Sequence, residues 1–425
     1  MQNRRALYTL LAANIISGFA TGISMLAIPW YFTTNGKVSE FGILYAVVTF
    51  FSLFWNLYAG TLIDKYSRKT LFIWISSVSG VVLITASMFG YAQGESSLML
   101  AGMVFVAIIL NFNIHYGALY AFGQEISPPE YYGKLSSFLE VQNQTTSVLS
   151  GALAAILLTG IPAGSSINFI GLKLSFPFEV KAWNLHEIFL LDAATYAIAI
   201  VLISTIKYKA ISERVIEGGN VIARIRSGLN YLRKNIALLK FGVFSHAIFV
   251  VLLIEVIYLL PVYVKNHLEA GSDVYASSEI LYSIGALLAG ISIRKLFLKM
   301  ETINAIVVLM GITSIILYWV TFTKEIYIFY TFSFIIGITN AGTRVLRITY
   351  IFNHVPNSII GRTNGVFNLI NIMMRAGFIA IFAISWFGEG SNIKWSYFIC
   401  GSFVLMSGIL LFFTKNYSPA AKLEE

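Results

Sequence analysis

Residues 250–263 read VVLLIEVIYLLPVY, and the reading of this stretch decides the fold. Apart from Glu255 and Pro261, every residue in it is aliphatic or aromatic. The run is continuous, whereas a lipid-facing β-strand alternates apolar and polar positions, so a membrane barrel is excluded. Hydrocarbon offers no hydrogen-bonding partner, and only a helix satisfies its own backbone within such a run. Extended to its polar edges, the stretch becomes an apolar span over 239–262, close to the roughly 20 residues that carry a helix across ~30 Å of hydrocarbon.

Eleven further spans of the same kind lie near 7–30, 41–62, 71–91, 98–121, 137–159, 187–207, 276–298, 302–322, 326–350, 363–385 and 395–414. With 57% hydrophobic and 12% charged residues in 425, the chain holds more apolar surface than one soluble core hides. The expected fold is an all-α membrane protein with 12 transmembrane helices. The opening MQNRRALYTLLAANIISGF resembles a secretory signal, but its apolar stretch runs on to Trp30 without a clean small-residue cleavage site. It is expected to be an uncleaved first span. A single cysteine, Cys400, gives neither a disulfide framework nor a thiol metal site.

The net charge of +9 invites a nucleic-acid partner, which the distribution of charge rejects. With the N-terminus inside, 22 of the 29 Lys and Arg fall on one face, 6 on the other, and Arg375 within a span. That asymmetry is the positive-inside rule, and it places both termini and the 208–238 linker in the cytoplasm of a cell (inner) membrane protein.

Short strings recur between the two halves of the chain. Pro29-Trp30-Tyr31 closes the first span as Pro261-Val262-Tyr263 closes the seventh, and Ser39-Glu40 before Ile43-Leu44-Tyr45 resembles Ser278-Glu279 before Ile280-Leu281-Tyr282. PPEYYGKLSS from Pro128 matches PNSIIGRTNG from Pro356 as Pro-x4-Gly-basic. Taken in order, they divide the chain into a six-helix half over 1–207, a linker over 208–238, a second six-helix half over 239–414 and a tail over 415–425. A parallel repeat of six-span halves is an architecture of secondary transporters. Within the linker, Ile222, Ile225, Leu229, Leu232 and Ile236 recur at helical spacing among Arg224, Arg226, Arg233 and Lys234. The pattern predicts an amphipathic helix on the anionic cytoplasmic leaflet, or a solvated one.

After the second span comes GTLIDKYSRKTLF, residues 60–72. Here the sequence resembles the major facilitator superfamily, whose loop between spans 2 and 3 carries Gly-x3-Asp-Arg/Lys-x-Gly-Arg-Arg/Lys. Gly60, Asp64, Lys65, Arg68 and Lys69 match, and Ser67 stands in the slot of the second glycine. The resemblance implies a conformational latch in which Asp64 meets the start of span 11, near Gly361 and Arg362. Arg68 and Lys69 then face anionic lipid or cytoplasmic carboxylates. Ser67, FLLDAATYAIAIVLI in span 6 and GLNYLRKN in the linker look like the macrolide and siderophore exporter branch. Against that branch, span 5 reads Leu149-Ser150 where exporters carry Gly-Pro, and span 4 lacks the arginine of many proton-coupled members.

A charge inside the bilayer costs ~3 kcal/mol on insertion scales, which makes intramembrane ionisable groups functional candidates. At ~1.5 Å rise per residue, Glu255 and Arg375 fall at similar depth near the midplane. In the superfamily spans 7 and 11 lie close together, so an ion pair between them is expected. Glu255 has three open roles: proton coupling, binding of substrate or cation, and a structural pair. Asp192 in span 6 is expected to be structural, and Glu140, beside Gln142, Asn143, Gln144 and Thr145, is either a gate or pathway residue or a loop cap. The resemblance implies that spans 1, 4, 7 and 10 line a central cavity. They carry Asn14, Ser17 and Thr21; Asn111, Asn113, His115, Tyr116 and Tyr120; His246 and Glu255; and Thr339, Asn340, Thr343 and Arg344. For each of these, interhelical packing is the competing reading. Residues 160–186 form a long outer loop whose alternation predicts a small hairpin.

A membrane-embedded enzyme or channel is the rival class. The five histidines are scattered, no Gly-x4-Gly-Lys-Ser/Thr loop occurs, and the intramembrane carboxylates sit in separate spans. The expectation is therefore a monomeric secondary transporter with no cofactor, embedded in lipid. It takes a small-molecule substrate by alternating access and uses protons or another coupling ion, leaning to efflux of an amphipathic compound. Nutrient uptake or lipid translocation is the alternative.

Overall fold

The structure is a computed structural model that describes residues 3–128, 132–161, 166–169, 172–175, 179–208 and 221–414. Helices α1 (Arg4–Thr34), α2 (Val38–Lys65), α3 (Arg68–Gln93), α4 (Leu98–Ile126), α5 (Tyr132–Thr159) and α6 (Leu185–Ser204) make the first half. The linker helix is α7 (Val221–Lys234). Helices α8 (Ile236–Ser245), α9 (Ala247–Ile254) and α10 (Leu260–Asn266) together form one span. They are followed by α11 (Ser272–Leu296), α12 (Thr302–Phe322), α13 (Ile326–His354), α14 (Asn357–Phe382), the short α15 (Ser385–Gly388) and α16 (Lys394–Thr414).

Among the described residues, 11 helical stretches are long and apolar enough to cross a membrane. The remaining long helix is α5, which Gln142, Asn143, Gln144, Thr145 and Thr146 make too polar to count on composition alone. The all-α multi-pass fold read from hydropathy is the fold observed. Several helices outrun their hydropathy windows: α4 reaches Ile126 and α13 reaches His354. A helix continues past the hydrocarbon edge wherever its polar residues find partners, so the apolar window marks the lipid and not the helix.

The seventh span is not one regular helix. Its ladder breaks at His246, and residues Glu255–Leu259 widen into a π-turn in which the Leu260 N–H reaches back to the Glu255 carbonyl. Pro261 gives the local cause. Proline has no N–H to donate and its ring clashes with the carbonyl four residues earlier. One extra residue in the turn relieves that clash, and such insertions are frequent at functional sites.

The predicted outer hairpin is present. β1 (Ser166–Phe169) pairs antiparallel with β2 (Leu172–Ser175), and Ile161 bridges Val180.

The chain divides into two compact units. The first holds Met1–Leu44, Phe51–Glu217 and Glu269–Ile280, and its apolar core is built from Leu10, Phe72, Ile75, Leu119, Phe122, Leu139 and Ile203. The first turns of α11 belong here because Trp30 stacks on Tyr275 at 5.7 Å and Thr159 shares a hydrogen bond with Ser272 at 2.8 Å. The second holds Tyr45–Phe50, Gly218–Leu268 and Leu281–Glu425. Tyr45 joins it by donating its hydroxyl to the Leu253 carbonyl at 2.9 Å. Within this unit α11 and α13 touch backbone to backbone, since a Cβ on Gly285 would strike the Phe334 carbonyl and one on Gly337 the Tyr282 carbonyl. Small residues permit that approach between helices in lipid.

Linker helix α7 lies along α14, with Leu232 buried and Gly228 against the Arg362 carbonyl. Arg362 also donates to the Ser227 hydroxyl at 3.3 Å. Part of the face assigned to the leaflet is thus covered by protein, while Ile222 stays 68% exposed. An amphipathic pattern is the same for a lipid surface and for a helix partner.

Candidate functional site

The turn between α2 and α3 organises the first unit's basic residues. Ser67 caps α3 by accepting the Thr70 N–H, so a serine in the glycine slot has a local purpose. Arg68 places Nη1 3.3 Å from Glu125 Oε2 at the end of α4, with 12% and 6% of the two side chains exposed. The Tyr208 hydroxyl donates to the other Glu125 oxygen at 3.1 Å. Lys69 donates to the carbonyls of Ser204 and Ile206 at 2.6 and 2.8 Å, closing the end of α6 where helical carbonyls have no internal partner. Of the two expected partners, anionic lipid or a cytoplasmic carboxylate, Arg68 takes a carboxylate, while the partners of Lys69 are backbone carbonyls. Lys65 is exposed and lies over the Tyr66 ring at 5.5 Å. Gly60, Asp64 and Glu140 sit in described helices, but their side chains lie outside the described ones, so the latch contact of Asp64 and the gate role of Glu140 have no geometry here.

A polar network crosses the first unit between α1, α3, α4 and α6. Asp192 is fully buried and accepts from Thr21 at 3.0 Å and Ser24 at 2.7 Å. Thr21 also meets the Tyr196 hydroxyl at 3.3 Å. Asn111 donates to that hydroxyl at 3.1 Å and to Ser79 at 2.7 Å. Buried polar groups in hydrocarbon require such partners, and the network spends Thr21 and Asn111 on packing helices together. For both, these partners favour the packing reading over cavity lining. Asn14 and His115 share a 2.6 Å hydrogen bond, Asn113 donates to Ser52 at 3.1 Å, and Ser17 returns to the Ala13 carbonyl on its own helix. Tyr116 packs on Phe112 and on His115.

In the second unit Glu255 opens the π-turn and is 8% exposed. The Tyr397 hydroxyl of α16 donates to its Oε1 at 3.2 Å. No ion pair joins Glu255 to Arg375 among the described residues, which corrects the expected pairing. Equal depth in two helices does not set the direction in which either side chain points. Arg375 is half-buried on α14, and its Nε is buried without a hydrogen-bond partner. His246, at the break in the span, turns Nδ1 to the Gly242 carbonyl and its ring to Phe367. Asn340 donates to the Tyr282 hydroxyl at 2.8 Å, and Thr339 accepts from Thr313 at 2.8 Å. Thr343 is buried and Arg344 half-buried on the same helix.

Two residues escaped the sequence reading. Arg347 is 5% exposed, donates to the Ser245 carbonyl at 2.9 Å and lies 5.8 Å over the Phe249 ring, so it caps the break that His246 opens. It had been counted among cytoplasmic cations. Glu125 lies beyond the apolar window 98–121 but within α4; the mark of its role is a carboxylate at a helix end in a unit that also carries Arg68.

Residues 10–376 match the family model described as Major Facilitator Superfamily. No curated protein sequence matches the chain significantly. Among solved structures, the chain is similar to the nucleoside transporter NupG at 12% identity, with 97% of this chain and 100% of that one covered and a TM-score of 0.70. It is similar to a D-xylose-proton symporter at 13% identity, covering 95% and 97%, with a TM-score of 0.67. A bacterial homologue of the iron transporter ferroportin, in an inward-facing state, aligns at 16% identity over 96% and 98%, with a TM-score of 0.67. At such identities the likeness speaks for the fold.

Proposed function

The chain belongs to the major facilitator superfamily, and from that premise we propose that it is a secondary transporter of a small molecule, driven through alternating access by an ion gradient coupled at Glu255. The six-helix halves 1–207 and 239–414 are the moving bodies in this reading, with both termini cytoplasmic in the cell membrane. The observation that carries it is Glu255 itself: a carboxylate inside the most apolar span, in a π-turn, bonded to a hydroxyl rather than a cation. A charge is costly in hydrocarbon, so an ionisable group so placed is a candidate for the coupling step.

Uptake of a small polar solute stands ahead of efflux of an amphipathic one. The full-length structural neighbours include proteins described as a nucleoside transporter and a D-xylose-proton symporter. The exporter-branch resemblance rests on Ser67 together with FLLDAATYAIAIVLI and GLNYLRKN, and the capping of α3 accounts for the serine without reference to any branch. Lipid translocation remains the second form of the uptake reading.

The test is accumulation in proteoliposomes under an imposed pH gradient, with uridine, D-xylose, a dipeptide and a lysolipid as probes. Gradient-dependent accumulation that a protonophore abolishes supports the proposal. Flux indifferent to the protonophore would remove the coupling part, and absence of flux for every probe would remove the uptake part.

A further inference from the structure

The arginines of α13 and α14 differ in how they are satisfied. Arg347 holds the Ser245 carbonyl and the Phe249 ring, Arg362 holds Ser227, and Arg344 has partners. Arg375 alone of the four has no hydrogen bond or ion pair among the described residues, and its Nε is buried. The carboxylate nearest in depth is not its partner: among the described residues no ion pair joins Arg375 to Glu255, which accepts from Tyr397. One helical turn before Arg375 on the same helix, Asn371 is 2% exposed, and its Nδ2 also lacks a hydrogen-bond partner. Residues at i and i+4 share a helix face and lie about 6 Å apart along the axis.

Both orphans are donors. A buried donor left without an acceptor is destabilising, and a guanidinium within the bilayer more so. The guanidinium calls for an acceptor carrying negative charge, and the amide on the same helix face for a further acceptor. A planar guanidinium fork matches a carboxylate or a phosphate with two parallel hydrogen bonds, and an amide one turn away adds a third.

We infer that the Asn371–Arg375 face of α14 is an oxyanion-binding site, and that the transported substrate carries a carboxylate or phosphate group. The second half of this statement rests on the transport reading; the first half stands without it.

Thermal unfolding of the purified full chain in detergent tests the site, with sodium benzoate, inorganic phosphate and uncharged benzamide as probes at matched ionic strength. Saturable stabilisation by benzoate or phosphate and none by benzamide is expected, and the better of the two anions identifies the group. Asn371→Ala and Arg375→Gln should each weaken the apparent affinity at least tenfold, with Arg375→Lys in between. If Arg375→Gln fails to fold, Asn371→Ala alone decides. No saturable stabilisation by either anion, or stabilisation undiminished in Asn371→Ala, overturns the inference. In proteoliposomes, anion binding without flux defeats only the transport reading, while flux of a neutral probe that the anions do not inhibit defeats only the anionic substrate.

Discussion

The Tyr397 hydroxyl donates to Glu255 Oε1 at 3.2 Å, tying the π-turn of the seventh span to the first turn of α16. Glu255 is the carboxylate that hydropathy marks as an anomaly, and its partner turns out to be neutral. Tyr397→Phe removes the bond and should cost about 1–3 kcal/mol, the range for stranding a buried acceptor. Thermal unfolding of Tyr397→Phe, Glu255→Gln and the double variant reads this directly. The two effects should fall short of additivity, because the residues are in contact; additive losses would mean that the bond contributes nothing.

Arg68 and Glu125 form a pair that water scarcely reaches, with 12% and 6% of their side chains exposed. Breaking such a pair from one side strands a charge and costs about 3–5 kcal/mol. Arg68→Met should therefore express poorly, and Arg68→Met with Glu125→Gln should recover most of the folded yield. Equal yields for the single and the double variant would contradict the pairing.

Gly337 meets the Tyr282 carbonyl of α11, while Gly311 on α12 has nothing within 4 Å of where a Cβ would stand. Gly337→Ala should force α11 and α13 apart and lower stability by about 1–3 kcal/mol, the usual cost of overpacking. Gly311→Ala is the matched control and should leave the unfolding temperature within a degree or so.

The spans and the α2–α3 turn were legible because they rest on one-dimensional signals: apolar length and a spaced motif. Partners were not legible, since a depth along a helix says nothing of azimuth. Depth alone thus pairs Glu255 with Arg375, whereas its hydrogen-bond partner is Tyr397, and it cannot tell that Asn111 bonds Ser79 and Tyr196. Arg347 was missed for another reason. It lies only three residues beyond Arg344, close to the polar end of α13, where charge counting assigns every cation to the cytoplasm. Its burial becomes visible only once the break at His246 has freed the Ser245 carbonyl for it to cap.

Asp192 was expected to be structural, and its two hydroxyl partners favour that role. Asp192→Asn keeps an acceptor for one of Ser24 and Thr21 and should retain folding and transport. Asp192→Leu strands both hydroxyls and should lower the unfolding temperature by several degrees. Loss of transport in a well-folded Asp192→Asn would instead make this carboxylate part of the coupling machinery.

The most direct test of the central claim separates exchange from accumulation in Glu255→Gln, reconstituted in proteoliposomes. With a probe that the wild type accumulates, the variant should retain counterflow exchange, since the halves still rock around a neutral residue. It should lose accumulation driven by the pH gradient. Gradient-driven accumulation at the wild-type level in Glu255→Gln would contradict the account, and would leave Glu255 as a scaffold for α16.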